Sequence, residues 1–349
     1  MTIIDAGAIG DAAPRIPRVF RDTPQYVSEP LSARLGVPTL VKVETVNPIG
    51  CFKGRGTWLA VEQLFQSGTV TPRRGIVVAS AGNFGQGVAY AGRALGIPVT
   101  VCAATTASAF KVAAIRQLGA EVRLRGADFD AARDAARHLG EERDWHLLVD
   151  GQDPWITIGA GTIGLELSRG VDAGELPAIA ECLVPLGNGA LLGGIATWLR
   201  HATPDTRMIG VVAAAAPAMA LSWRAARPVQ TATAETVADG IAVRVPVPEA
   251  LGPLLEVVDE VVEVSEAEIL DATQQLGAML PLRLETSAAV GWAAALARSR
   301  PAGGVALVLT GGNVGPCGPA SGRGAWPSAW TTPNGRPTTT ANGCYVALR

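Results

Sequence analysis

Short apolar runs that stop at small-residue turns and restart as helices recur along this chain, and that rhythm restricts it to folds built on parallel sheets. Residues 76–78, 99–102, 121–124 and 146–149 read as buried strands, with amphipathic helical patterns over 110–118 and 129–139 between them. Strand, helix and strand in succession make a βαβ unit, whose crossover leaves the two strands parallel. Further buried strands are expected at 182–186, 208–212 and 305–309. A chain of 349 residues exceeds the usual single core of about 100–150 residues, so two lobes sharing a cleft are expected. The expectation is an α/β fold of two doubly wound parallel-sheet domains, with residues 75–149 as the smaller and 1–74 together with 150–314 as the larger.

Open sheets of this kind bind ligands beyond the carboxyl ends of their strands, so the turns carry the functional reading. Ala79-Ser80-Ala81-Gly82-Asn83-Phe84-Gly85-Gln86-Gly87 follows the first run. Unpaired N–H groups and the helix dipole favour a carboxylate or phosphate at such a turn. Leu186-Gly187-Asn188-Gly189-Ala190-Leu191 can cradle a phosphate in the same way, although a strand-to-helix turn also uses glycine for close packing. Thr310-Gly311-Gly312-Asn313 puts a hydroxyl at the end of the run at 305–309. Lys42, Lys53 and Lys111 are the lysines of the whole chain, and Lys53 lies in Asn47-Pro48-Ile49-Gly50-Cys51-Phe52-Lys53-Gly54-Arg55-Gly56. A lysine amine in an aromatic, glycine-rich setting is suited to condense with an aldehyde; read alone, the segment describes a loop with a solvated lysine equally well.

Together and in this order, the four segments resemble the fold type II, tryptophan synthase β-like enzymes that use pyridoxal 5′-phosphate, especially the serine/threonine dehydratases and serine racemases. The resemblance runs from about Arg15 to Asn313 and takes in Lys111-Val112, Asp153-Pro154, Ile163-Gly164-Leu165-Glu166 and Ala238-Asp239-Gly240-Ile241. It implies a cofactor in the cleft, with Lys53 forming the Schiff base and then removing the substrate α-proton, and Phe52 packed near the ring. Asn83 would bond the phenolic oxygen, Gly187, Asn188, Gly189, Ala190 and Leu191 would hold the phosphate, and Thr310 would meet the pyridine nitrogen. Ser80, Ala81, Gly82 and Asn83 would meet the substrate carboxylate. A glutamate in the context of Glu285 would lie near the ring, with helix capping as the alternative; Asp239 is a turn residue or a substrate neighbour. Glu166 reads as structural, and Lys42 and Lys111 as surface or structural charges. The implied activity is β-elimination on threonine or serine by an ammonia-lyase, releasing a 2-oxo acid and ammonia, with β-replacement on the same cofactor as the alternative. A homodimer or other homo-oligomer is implied.

Such relatives often carry serine at the position of Cys51 and histidine at that of Phe84, which leaves the substrate open. Serine racemases carry a second serine at the position of Ala81; a methyl donates no proton, so elimination is expected over racemisation. The run Ala213-Ala214-Ala215-Ala216 lacks the acids through which some relatives bind a divalent cation, and no metal is expected. It also lacks the ribose-binding acid that a nicotinamide-dependent oxidoreductase would need after Gly187-x-Gly189. A non-catalytic carrier of the cofactor would have no use for a carboxylate-binding turn. Cys51, Cys102, Cys182, Cys317 and Cys344 form neither a disulfide framework nor a zinc pattern. A net charge of −2 offers no footprint for nucleic acid or an anionic membrane, and no run approaches the ~20 apolar residues of a membrane span. The N-terminus lacks a secretion signal, so a cytoplasmic protein is expected. Beyond Val314 the composition turns to Gly, Pro, Ser and Thr, and 315–349 is expected to be a poorly ordered tail.

Overall fold

The computed structural model describes residues 4–315. The tail expected over 315–349, with Trp326 and Trp330, lies outside the described residues but for Gly315. Strands run over β1 (Gln25–Val27), β2 (Thr39–Val43), β3 (Ile76–Ala79), β4 (Val99–Ala103), β5 (Glu121–Leu124), β6 (His146–Leu147), β7 (Ile179–Pro185), β8 (Arg207–Ala213), β9 (Glu260–Val264) and β10 (Gly304–Leu309). They form a larger sheet in the order β1-β2-β10-β7-β8-β9 and a smaller one in the order β5-β4-β3-β6. All pairings are parallel except β1 with β2. The strands expected from sequence are present; β7 starts earlier, at Ile179, and β6 is shorter. Strands β1, β2 and β9 are additions. Lys42 in β2 and Glu260 and Glu263 in β9 break the apolar pattern that marks a buried strand.

Alternation along the central strands sorts the core of the larger sheet onto its two faces. Leu183, Ile209, Val305 and Leu307 pack with the helices Glu266–Met279 and Thr286–Ala297. Cys182, Val184, Met208, Ala306 and Val308 pack with the helices Pro154–Asp172 and Ala190–Ala202. Those last two helices cross closely because Gly194 faces the other backbone: a Cβ there would lie 2.3 Å from the Thr157 carbonyl oxygen. Any side chain at 194 would push the helices apart.

A buried ionic cluster ties the helix Lys53–Gln66 to the larger sheet. Arg55, fully buried, donates to Glu44 Oε1 at 2.8 Å and Oε2 at 2.9 Å, and to Glu166 Oε1 at 2.6 Å and Oε2 at 2.9 Å. Lys42 donates to Glu166 as well, and is held below the usual lysine range by its burial, against the pull of Glu166 and Glu44. Burial works against ionisation of Glu166, but the Arg55 and Lys42 charges prevail and pull its carboxyl down to about 2. Glu166 and Lys42 are therefore structural charges.

Candidate active site

The turn that carries Lys53 is clamped to the end of β10. Phe52 N–H donates to the Thr310 carbonyl at 3.0 Å, Gly312 N–H donates to the Gly50 carbonyl at 2.9 Å, and Cys51 and Gly311 form an antiparallel bridge. Glycine at 54 and 56 answers to packing: a Cβ would come within 2.3 Å of the Phe20 ring and 2.4 Å of the Ile156 carbonyl oxygen respectively. The Lys53 side chain is 13% exposed, and its Nζ donates to Asp150 Oδ2 at 2.6 Å. The same nitrogen lies 5.1 Å from the Phe52 ring centroid and 5.8 Å from that of Phe84. Cys51 is fully buried and its thiol is pushed far up by burial, so it packs as a neutral group.

Residues 80–83 join β3 to the helix Asn83–Leu95. Ser80 N–H donates to the Cys102 carbonyl, while Gly82 N–H and Gly85 N–H both donate to Ser80 Oγ at 3.2 Å. Ser80 thus caps its own helix, and the N–H groups of Ala81 and Asn83 are left without such bonds among the described residues. The Asn83 carboxamide reaches across to the larger sheet: its Nδ2 donates to Glu285 Oε2 at 2.9 Å and its Oδ1 accepts from Asn313 Nδ2 at 2.8 Å.

Glu285 stands at the N-cap position of the helix Thr286–Ala297 without a side-chain capping bond, so the capping alternative is excluded. Its carboxyl turns inward, is 4% exposed, and is pushed above the usual carboxylate range by burial and by Asp239, against the pull of Lys111 and the Asn83 bond. Glu285 Oε2 sits so close to Gly311 that a Cβ at 311 would be 2.1 Å away, while Oε1 is buried and meets no hydrogen-bond donor among the described residues. Lys111 Nζ lies 4.0 Å from Oε1 and is bonded to Asp239. Lys111 therefore belongs to this cluster rather than to the surface. Burial opposes its charge, but Asp239 and Glu285 raise its pKa above the usual lysine value.

The turn after β7 comes to the same place. Gly189 has φ +103°, a left-handed conformation that glycine adopts freely, and it starts the helix Ala190–Ala202. Ala190 N–H donates to Asn188 Oδ1 at 3.2 Å. A Cβ at Gly151 would lie 3.2 Å from the Asn188 side chain, so the segment carrying Asp150 rests against this turn, and a Cβ at Gly187 would lie 3.5 Å from the Gly240 carbonyl oxygen next to Asp239.

Lys53, Asn83, the 187–191 turn, Asp239, Glu285 and Thr310, all singled out in the sequence, thus lie in one connected cluster. Asp150 and Asn313 belong to it without having been assigned a role, as does Lys111, which the sequence had marked as a surface or structural charge. Asn313 had a local signal, a carboxamide after a glycine pair at a strand end; Asp150 and Lys111 had none, because their partners lie 97 and 128 residues away. Chemically, the cluster presents a primary amine to a carbonyl compound and a helix N-terminus to an anion. Among the described residues no helix is long and apolar enough to cross a membrane, and no His, Cys, Asp and Glu side chains gather as metal ligands.

The family described as pyridoxal-phosphate dependent enzyme matches residues 16–311. The L-threonine ammonia-lyase of Geobacter sulfurreducens is 39% identical over 308 residues, 88% of this chain and 75% of that relative. Among solved structures, the processed form of threonine deaminase isoform 2 from Solanum lycopersicum superposes with a TM-score of 0.79 at 31% identity, covering 89% of this chain and 86% of that one. Maize serine racemase superposes with a TM-score of 0.81 at 26% identity, covering 90% and 95%.

Proposed function

This chain belongs to the pyridoxal-phosphate dependent enzymes, and from that premise we propose that it is an ammonia-lyase that eliminates the β-hydroxyl of threonine or serine. The observation that carries the reading is Lys53: an enclosed primary amine between two aromatic rings, on a turn locked to the end of β10. The residues present fit the cofactor. A glycine turn opening a helix suits its phosphate, Asn83 is held in place for its ring substituents, and Glu285 Oε1, with Lys111 4.0 Å away, is a buried polar atom without a hydrogen bond among the described residues. Bound pyridoxal 5′-phosphate supplies an electron sink for the pair left on the substrate α-carbon.

The Lys53 amine would hold the cofactor covalently and, as a free amine, would take the α-proton. Phe52 and Phe84 set apolar ring faces 5.1 and 5.8 Å from that nitrogen. Gly187, Asn188, Gly189, Ala190 and Leu191 would hold the phosphate end, and Thr310 would meet the pyridine nitrogen. Ala81 and Asn83 offer their N–H groups to the substrate carboxylate, with Ser80 and Gly82 shaping the turn behind them. Asp239 and Glu285 fix Lys111 and Asn83 across the cleft, which closes residues 75–149 onto the unit of 1–74 and 150–314. Ala81 carries no proton for the opposite face, which favours elimination over racemisation. Half-exposed Tyr26 and Val27 on the edge strand β1 support self-association, and we place the homo-oligomer in the cytoplasm.

Incubating the purified protein with L-threonine and L-serine and measuring 2-oxo acid and ammonia tests the proposal. Equimolar release of both products is expected. Conversion to the D-isomer without ammonia, or no turnover by a cofactor-loaded protein, contradicts it.

A further inference from the structure

Asp150 takes no part in the steps assigned to Lys53 and its neighbours above. It follows β6, on the ligand-facing edge of the smaller sheet, and pairs with Lys53 at 2.6 Å through Oδ2. Its other oxygen, Oδ1, is buried and meets no donor among the described residues. The two ring faces beside Lys53 Nζ accept no proton, and Asp150 is the one carboxylate paired with that nitrogen among the described residues. A carboxylate with one oxygen on the reactive amine and one unpartnered is placed to take a second cation.

We infer that Asp150 receives the α-ammonium of the incoming amino acid and removes a proton from it, an inference that rests on Lys53 carrying the cofactor. The substrate nitrogen has to take the place of the Lys53 nitrogen, so it arrives in the volume beside Nζ, within reach of a group bonded to that atom. In neutral water an α-amino group is largely protonated and has no lone pair with which to attack. Transfer of one N–H proton to Asp150 leaves the bonding pair on nitrogen and converts the carboxylate to the acid. Asp150, 26% exposed, then gives the proton to water. The freed pair would then displace the Lys53 nitrogen from the cofactor carbon while a second N–H proton passes from the substrate nitrogen to Lys53, which leaves as a neutral amine able to take the α-proton in the next step.

The test uses the cofactor-loaded full chain, wild type and Asp150→Asn, and follows the visible absorbance in stopped flow with two amines at neutral pH. L-Alanine brings an ammonium and no β leaving group; hydroxylamine brings an amine that is already neutral. Asp150→Asn is expected to slow the change driven by alanine by about tenfold or more, and to leave that driven by hydroxylamine within about twofold. Formate is expected to restore part of the alanine rate in Asp150→Ala. Equal slowing with both amines would show that Asp150 only positions Lys53, and unchanged rates would show that it takes no part; either overturns the inference. A wild-type protein without a visible band that responds to either amine would instead overturn the assignment of Lys53, and this inference with it.

Discussion

Lys53 and Arg55 stand two residues apart on one helical turn, yet the polar surroundings they enter are opposites. Around Arg55 every carboxylate oxygen is used: both oxygens of Glu44 and both of Glu166 accept hydrogen bonds from Arg55, reinforced by Lys42, Thr23 and Asp22 N–H. Around Lys53 the count does not close, because Asp150 Oδ1 and Glu285 Oε1 are buried without a donor among the described residues. Buried polar groups are nearly always paired, so a saturated cluster reads as architecture and an unsaturated one as a place made for something else. The pKa directions agree. Burial opposes both glutamates, but Glu166 is drawn down to about 2 by Arg55 and Lys42, whereas Glu285 is pushed up by burial that Lys111 only partly offsets.

Substitutions can break that contrast. Lys53→Ala should remove turnover by a thousandfold or more, on the order of 4 kcal/mol of barrier, while thermal unfolding stays cooperative; a chain that still eliminates ammonia from threonine would end the assignment. Arg55→Ala should act on stability instead, costing about 3–5 kcal/mol because Glu44 is left buried without its ion-pair partner and Glu166 keeps only Lys42. Urea unfolding measures it, and a loss under 1 kcal/mol would mean that the saturated cluster is not what holds the helix. The acid limb of stability gives a finer comparison. Glu166 lies below its ordinary value of 4.5, so its contribution is fully present above about 4.5 and is lost as the pH falls toward about 2. Melting temperatures of wild type should therefore drop across that window, and the Glu166→Gln profile should be flatter there.

Smaller effects are expected on the unsaturated side. Asn83→Ala removes the hydrogen bonds from Asn313 and to Glu285 together with the one proposed to the cofactor, and at roughly 0.5–1.5 kcal/mol for that bond cofactor affinity should weaken by up to about tenfold with the fold retained. Equilibrium binding of pyridoxal 5′-phosphate reads this out. Glu285→Gln should raise the melting temperature of the cofactor-free protein at neutral pH, since a raised carboxyl pKa means that its ionised form disfavours the fold. A fall in melting temperature would reverse the contrast with Glu166.

How much of this could be read from sequence depends on how local the signal is. The strand-turn-helix units at 76–95 and 179–202 are legible because apolar run, small-residue turn and helical pattern follow one another, and they carry Asn83 and the 187–191 turn with them. Lys53 is legible through its glycine neighbours, although Gly54 and Gly56 turn out to serve Phe20 and the Ile156 backbone. Strands β2 and β9 are hidden by their charged residues, and in β2 that charge is Lys42, buried only because Glu166 arrives from 124 residues away. Lys111 and Asp150 are hidden for the same reason. Each takes its meaning from a partner far along the chain, 128 and 97 residues away, and no spacing in the chain announces it.

Borohydride reduction of the cofactor-loaded protein, followed by peptide mass mapping, tests the central claim most directly, because Lys42, Lys53 and Lys111 are the lysines of the sequence and each has been given a different place. A visible band that bleaches on reduction and a pyridoxyl group on Lys53 alone are the predicted result. A label on Lys42 or Lys111, or none on any lysine, would contradict it.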